Sequence, residues 1–179
     1  MTDTPQDALH EGLHVHIERL GSALHALVSG LRLHVPPGEI LTLMGPSGCG
    51  KSSVLAAIAG TLASVSEGLQ PLQLHGSVQL NGRELSHLPT HQRGVGLVFQ
   101  DALLFPHMTV AENLLFAVPV SGASGTNGNS LTIAQRQARV QQALQEAELS
   151  GMGERDPSTL SAGQRTRVAL MRALLAEPC

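Results

Sequence analysis

The segment GPSGCGKS at residues 45–52 constrains this chain more than any other part of its sequence. It fits the pattern Gly-x-x-x-x-Gly-Lys-Ser/Thr, in which glycines let successive backbone N–H groups surround an anion. Lys51 supplies a point charge for the β- and γ-phosphates of a nucleotide, and the Ser52 hydroxyl is placed to ligate Mg²⁺. The pattern predicts a strand, a phosphate-binding loop (P-loop) and a helix in immediate succession.

The residues around this loop agree with that order. Residues 40–44 (ILTLM) are short and continuously apolar, as in a strand buried on both faces. Residues 53–62 are small and apolar and predict a helix whose positive N-terminal end faces the phosphates. The candidate nucleotide-binding residues are therefore consecutive: Gly45, Pro46, Ser47, Gly48, Cys49, Gly50, Lys51, Ser52 and Ser53.

The remaining periodicity predicts a mixed α/β chain. Strands are expected at 13–17, at 26–35 with an interruption at Ser29 and Gly30, at 78–80 before an Asn81-Gly82 turn, and at 95–99. Helices are expected at 109–117 with Thr109 as cap, at 133–149, and from a Ser161 cap to about residue 176. Residues 36–38 (PPG) predict a turn, and the Gly/Ser/Asn-rich residues 120–130 predict a mobile loop.

Composition excludes several classes of function. The formal net charge is −3, so no basic face indicates nucleic acid. The N-terminal residues do not resemble a signal peptide, and no apolar run approaches the ~20 residues of a membrane span. Cys49 and Cys179 lack metal-ligand spacing, and the nine His show no zinc motif, which predicts a reduced, cytoplasmic protein.

Two later segments suggest the family. Residues 95–114, VGLVFQDALLFPHMTVAENL, resemble the Q-loop region of ABC ATPases, with Gln100 as its glutamine. Residues 160–175, LSAGQRTRVALMRALL, resemble the ABC signature LSGGQ and the helix that follows it. The order and separation of the three motifs also match. Together with residues 81–100, they make the chain similar to ATP-binding subunits of bacterial ABC importers for small solutes.

This resemblance implies a fold and a function. The fold would be a RecA-like P-loop NTPase core with an antiparallel β subdomain and a helical subdomain, incomplete at its C-terminal end. One domain would cover residues 1–179, divided into 1–100, 101–160 and 161–179. The function would be to couple ATP binding and hydrolysis to solute import. The protein would lie at the cytoplasmic face of the membrane, bound to permease subunits and, through them, served by a solute-binding protein.

The resemblance also implies residue roles. ATPase subunits of the family pair head to tail, so ATP on one P-loop meets the signature of the partner. The signature residues here are Leu160, Ser161, Ala162, Gly163 and Gln164. Gln100 would contact Mg²⁺ or the attacking water, which makes it the catalytic candidate and, with Ser52, a metal-binding candidate.

Three departures from the family pattern affect these expectations. Ala162 replaces the usual signature glycine. The three Phe all follow residue 98, and the sequence has no Tyr or Trp. No Phe, Tyr or Trp therefore precedes the P-loop to stack on adenine, and the preference for ATP or GTP stays open. The Asp-Glu strand (Walker B) and switch His expected after residue 175 are missing, which leaves residues 40–44 without a neighbouring strand. We therefore expect a truncated chain that binds nucleotide without efficient turnover.

Two alternatives remain. If Asp101, which follows an apolar run, acts as the Walker B acid, the chain is a small P-loop kinase. In the other alternative the chain binds nucleotide or a membrane subunit without catalysis.

Overall fold

The computed structural model describes residues 11–62, 71–120 and 131–178. The elements of these residues are, in chain order, β1 (Leu13–Gly21), β2 (Ala26–Val35), α1 (Lys51–Ala59), β3 (Gln73–Leu80), β4 (Arg83–Glu84), α2 (Val110–Ala117), α3 (Ile133–Glu146) and α4 (Ala162–Leu175). Single 3-10 turns lie at Thr90–Gln92 and Pro157–Thr159. The chain divides between Val95 and Gly96 into two compact units, each of which has its own core.

The first unit is an antiparallel sheet packed on α1. The strand order is β2-β1-β3-β4. Buried Val15 and Ile17 alternate with more exposed residues along β1, as predicted, and pack with Val78 and the α1 residues Val54 and Ala57. The predicted interruption of β2 is wrong. The strand continues through Gly30, which takes φ +68°, and its pairing with β1 continues on both sides of that glycine.

The turn between β3 and β4 is as the sequence predicts. Asn81 and Gly82 have φ values of +50° and +75°. Positive φ at both central residues matches the right-handed twist of a two-residue hairpin, and Asn-Gly tolerates it best. The predicted turn at residues 36–38 is also present, closed by a hydrogen bond from the N–H of Glu39 to the carbonyl of Pro36.

The strands predicted at residues 40–44 and 95–99 are wrong. Neither segment is a strand, and Ile40 and Met44 are 94% and 88% exposed. A strand needs a hydrogen-bonded neighbour, and none of the described residues pairs with either segment. Leu43 and Val95 still pack against the core of the first unit, whereas Ile40, Leu41, Met44, Val98 and Phe99 are exposed.

Helix α1 begins at Lys51 and ends at Ala59. It therefore begins two residues earlier and ends three residues earlier than predicted.

The carbonyls at the C-terminal end of α1 accept hydrogen bonds from a side chain far along the sequence. Arg93 is 6% exposed and donates through Nη1 to the carbonyls of Ala57 and Ile58, at 2.7 and 3.0 Å. Burial lowers the pKa of the Arg93 guanidinium, and the charge of Glu84 partly opposes that effect.

The second unit packs α2, α3 and α4 around one apolar core, which includes Val110, Leu114, Val140, Leu144 and Val168. Each helix begins with a capping box, and the boxes of α2 and α4 sit at the predicted Thr109 and Ser161. Helix α3 stops at Glu146 rather than 149 because Glu148 adopts a φ of +55°. The loop predicted at 120–130 lies, from residue 121 onward, outside the described residues.

Candidate functional site

The P-loop backbone depends on its glycines. Gly45, Gly48 and Gly50 have φ values of +154°, +81° and +92°, a region that favours glycine. At Gly50 an added Cβ would also lie 2.6 Å from Cγ2 of Val28 on β2. This close approach fixes the start of α1 beside the sheet, so the loop can present its backbone to solvent.

The N-terminus of α1 presents unused hydrogen-bond donors. Among the described residues, nothing accepts a hydrogen bond from the backbone N–H groups of Lys51, Ser52 or Ser53. No side chain caps the helix, and its first turn holds no acidic residue. Free N–H groups and the positive end of the helix dipole together attract an anion such as a phosphate.

The Lys51 side chain folds back over the loop. Its Nζ donates to the carbonyl oxygens of Gly45 at 2.9 Å and Pro46 at 2.7 Å, and lies 3.7 Å from Cys49 Sγ. The loop therefore holds the ammonium through carbonyl oxygens that phosphate oxygens can replace. The exposed Ser52 hydroxyl has no hydrogen-bond partner in the described part of the chain, which fits a Mg²⁺ ligand.

Gln100 lies in the second unit and is exposed, with no hydrogen bond to another described residue. The segment after it is held by Asn113, which is fully buried in α2. Asn113 Oδ1 accepts from the N–H of Phe105, and Nδ2 donates to the carbonyls of Phe105, Met108 and Thr109. The role of Asn113 was not predicted from the sequence, where its only signal is a lone Asn within an apolar helical run.

Arg172 of α4 contacts the same segment. Its Nη2 donates to the carbonyl oxygen of Leu103 at 3.0 Å, and its guanidinium carbon lies 5.3 Å from the centre of the Phe105 ring. Burial lowers the pKa of the Arg172 side chain. The helix that follows the signature is thereby tied to the segment that follows Gln100, within one unit.

The signature residues are contiguous at the start of α4. Ser161 Oγ accepts from the N–H of Gln164 at 3.2 Å, and Gln164 Oε1 accepts from the N–H of Ser161 at 2.8 Å. Leu160 is buried and anchors the turn, whereas Ala162 and Gly163 are exposed. A methyl group added at Gly163 would meet nothing within 4 Å. The backbone of this turn is therefore open to an approaching ligand or subunit.

In the described part of the chain, no three His, Cys, Asp or Glu side chains are grouped to hold a metal ion. No helix formed by these residues has the length and apolar character needed to cross a membrane. Asp101 is exposed and follows an unpaired segment rather than a buried strand, so its surroundings differ from those expected of a Walker B acid.

Comparison with known proteins identifies the family. A family model described as ABC transporter matches residues 28–179. An uncharacterised ABC transporter ATP-binding protein of Escherichia coli K12, YnjD, is 43% identical over 152 residues, which cover 85% of this chain and 63% of YnjD. The spermidine/putrescine import ATP-binding protein PotA of Acidothermus cellulolyticus is 38% identical over 98% of this chain and 41% of PotA.

Solved structures agree with this result. The dimeric ATP-binding cassette MJ0796, solved in a post-hydrolysis state with ADP and Pi, matches with a TM-score of 0.71 and 26% identity, covering 93% of this chain and 70% of that chain. The chain belongs to the ABC transporter family. The predicted α/β P-loop NTPase class is confirmed, and the match is to the family's ATP-binding, ATPase part. The chain spans less than two thirds of the length of these curated relatives.

Proposed function

We propose that this chain binds the phosphates of ATP together with Mg²⁺ and serves as the ATP-binding subunit of a solute importer. The observation that carries the proposal is the set of free N–H groups at Lys51, Ser52 and Ser53, together with the Lys51 ammonium that the carbonyls of the same loop hold. Family membership favours this function over a small P-loop kinase.

Each residue of the loop has a distinct task in this proposal. The free N–H groups of Lys51, Ser52 and Ser53 bind phosphate oxygens, and Lys51 exchanges its bonds to Gly45 and Pro46 for bonds to the β- and γ-phosphates. Ser52 would ligate Mg²⁺, which neutralises charge on the phosphates when bound. Gln100, whose side chain has no partner in the described residues, orients toward Mg²⁺ or the attacking water.

The signature acts on the nucleotide of a second subunit. Leu160 anchors the turn, and the Ser161 hydroxyl with the exposed N–H groups of Ala162 and Gly163 would meet the γ-phosphate held by the partner's P-loop. The dimeric MJ0796 cassette supports such an arrangement. Gln164 holds Ser161 in place through the capping box.

The wider partners follow from the relatives. Several are named as import ATP-binding proteins, for sulfate/thiosulfate, for Fe(3+) ions and for spermidine/putrescine. We place this chain at the cytoplasmic face of the membrane, bound to permease subunits and, through them, to a solute-binding protein. We also retain the single cassette domain over residues 1–179, divided at 100 and 160, as a proposal.

The capping boxes provide a matched test of the signature. Ser161→Ala and Thr132→Ala each remove a helix cap worth about 1 kcal/mol, from α4 and α3 respectively. We expect MgATP to promote dimers of the parent chain and of Thr132→Ala, measured by light scattering, but not of Ser161→Ala. Equal association of the two variants, or a parent chain that stays monomeric with saturating MgATP, would contradict the trans contact.

A further inference from the structure

The face of the sheet that points away from α1 carries a compact group of polar side chains. They border an open cleft of about 390 Å³ and form two rows across strands β2, β1 and β3: His34, His14 and Gln79 in one row, and Arg32, His16 and Ser77 in the next. Directly paired residues on one face have Cβ atoms about 4.5–5.5 Å apart, so the members of a row are neighbours. All six side chains can donate a hydrogen bond and none is a carboxylate, which is the chemistry that complements an anion.

The row of Arg32, His16 and Ser77 has its hydrogen-bonding groups free. Arg32 is exposed, and the other two are half-buried. Among the described residues, none of these three side chains forms a hydrogen bond or an ion pair. The planar guanidinium can donate to two oxygens of one oxyanion, and an imidazole N–H and a hydroxyl beside it can each donate to another. This row therefore offers donors that lack a protein acceptor.

The stacked rings of His14 and His34 can supply positive charge to the same cleft. Their ring centroids are 4.1 Å apart, and their planes differ by 17°. Nε2 of each ring lies 3.2 or 3.3 Å from the carbonyl oxygen of Glu11. Because a carbonyl oxygen only accepts, each Nε2 carries a hydrogen, and Nδ1 is the atom that gains or loses a proton. Two protonated rings this close repel each other, and an anion in the cleft would offset that repulsion.

The other charged groups around the cleft are carboxylates, and none of them lines it. Glu18 is exposed two residues beyond His16 on β1, and Glu11 precedes that strand. Glu84 lies on β4, where it accepts a hydrogen bond from Gln79 Nε2 at 3.3 Å. Charge complementarity therefore favours an anion on the β2 side of the cleft, away from the Glu84 carboxylate.

We propose that Arg32, His16 and Ser77 bind a tetrahedral oxyanion, phosphate or sulfate, and that His14 and His34 strengthen this binding when they are protonated. The recognised group is the oxyanion itself, carried by a free ion or by a phosphate monoester. Imidazoles change charge between about pH 5 and pH 8, so affinity should rise as the pH falls. The donors here are side chains on strands, whereas the P-loop offers backbone N–H groups, and this inference does not depend on nucleotide binding.

The test is a titration of the nucleotide-free chain with sodium sulfate at constant ionic strength, followed by NMR. The ring-proton resonances of His14 and His16 report the cleft separately from any binding at the P-loop. We expect Arg32→Gln to weaken the binding seen at these histidines at least about 10-fold. Arg32→Lys, which keeps the charge but not the planar group, should give an intermediate affinity. Arg83→Gln removes an exposed cation of β4 that does not line the cleft, and this matched control should bind as the parent does.

The pH dependence is a second readout. Sulfate keeps its charge in this range, so the parent should bind it about 3-fold or more tightly near pH 6 than near pH 8 through the protein's own protonation. Glycerol phosphate and inorganic phosphate, compared at one pH, distinguish the two sources: the tighter ligand identifies an ester or a free ion. Equal sulfate affinities for the parent and Arg32→Gln would overturn the proposal. So would an affinity that does not change with pH, or cleft resonances that sulfate does not shift.

Discussion

The side chain of Asn113 pairs with both backbone groups of Phe105: its Oδ1 accepts from the N–H at 2.8 Å, and its Nδ2 donates to the carbonyl at 3.1 Å. Nδ2 also donates to the carbonyls of Met108 and Thr109, at 3.2 and 3.0 Å. The segment after Gln100 has no regular secondary structure, and the hydrogen bonds of this fully buried side-chain amide hold it in place instead.

We predict that Asn113→Leu destabilises the second unit by about 3 kcal/mol. The substitution leaves the Phe105 N–H without its acceptor, and a buried unsatisfied group costs about 1–3 kcal/mol, to which the other lost bonds add. Urea unfolding followed by circular dichroism measures the change. Gln142→Leu on the exposed side of α3 is the control, since among the described residues its amide hydrogen-bonds only to Glu146, and it should change stability by less than about 0.5 kcal/mol. Similar values for the two variants would show that Asn113 does not organise this segment.

The capping boxes explain why the helices of the second unit were largely predictable. Thr109 with Glu112, and Ser161 with Gln164, are signals three residues apart that act within one helical turn. The Asn81-Gly82 turn is local in the same way. Motif residues 45–53 and 160–164 could likewise be located because each lies in one short segment, although their roles stay predictions.

The errors have a non-local origin. An apolar run such as residues 40–44 has strand character, but only a paired neighbour makes it a strand, and pairing depends on residues distant in sequence. Arg93 and Asn113 were missed for the same reason. Their side chains donate to carbonyls that become buried only when separate elements pack. The periodicity of apolar residues in the sequence does not indicate which carbonyls these are.

Glu84 should make folding stability depend on pH. Burial alone would raise the pKa of its carboxyl, but hydrogen bonds from Ser86, Gln79 and the N–H of Val78 outweigh burial and hold that pKa below its usual value. A pKa that is lower in the folded state stabilises the fold above the unfolded value, about 4.3, and this stabilisation is lost as pH falls through the folded value.

We therefore predict that Glu84→Gln flattens the acid side of the stability–pH profile. The free energy of unfolding is measured in urea at a series of pH values for the parent and the variant. The difference between them should be largest near neutral pH and shrink at acid pH. Glu18→Gln, which removes an exposed β1 carboxylate with no hydrogen bond to another described residue, is the control and should leave the profile unchanged. A constant difference at every pH would contradict the role assigned to the Glu84 carboxylate.

Alkylation of Cys49 should block nucleotide binding, and MgATP should protect the thiol. Cys49 is exposed within the P-loop, and an added Cβ at Gly45 would lie 2.9 Å from its Sγ, so a bulky adduct would occupy the anion nest. The measurement is the rate of maleimide labelling in a Cys179→Ser background, followed by mass spectrometry. AMP, which lacks the β- and γ-phosphates, is the control ligand and should protect less. Equal labelling rates with and without saturating MgATP would show that the loop does not enclose the nucleotide.

The most direct test of the phosphate site is calorimetric titration of the chain with MgATP, comparing the parent with Lys51→Ala. Lys51 is the only lysine, and its Nζ lies 2.9 and 2.7 Å from the carbonyls of Gly45 and Pro46. Lys51→Arg should also bind poorly, because a planar guanidinium does not reproduce a point charge in this loop. Arg83→Ala, which removes an exposed cation from β4, controls for the loss of one positive charge.

Lys51→Ala should lower MgATP affinity by ~10–100-fold, since hydrogen bonds to charged groups are worth about 1.5–3 kcal/mol each. Arg83→Ala should bind within about 2-fold of the parent, because solvent and salt screen an exposed charge that, in the described part of the chain, forms no bond to the loop. Equal MgATP affinities for the parent and Lys51→Ala would contradict the claim that residues 45–53 bind the phosphates.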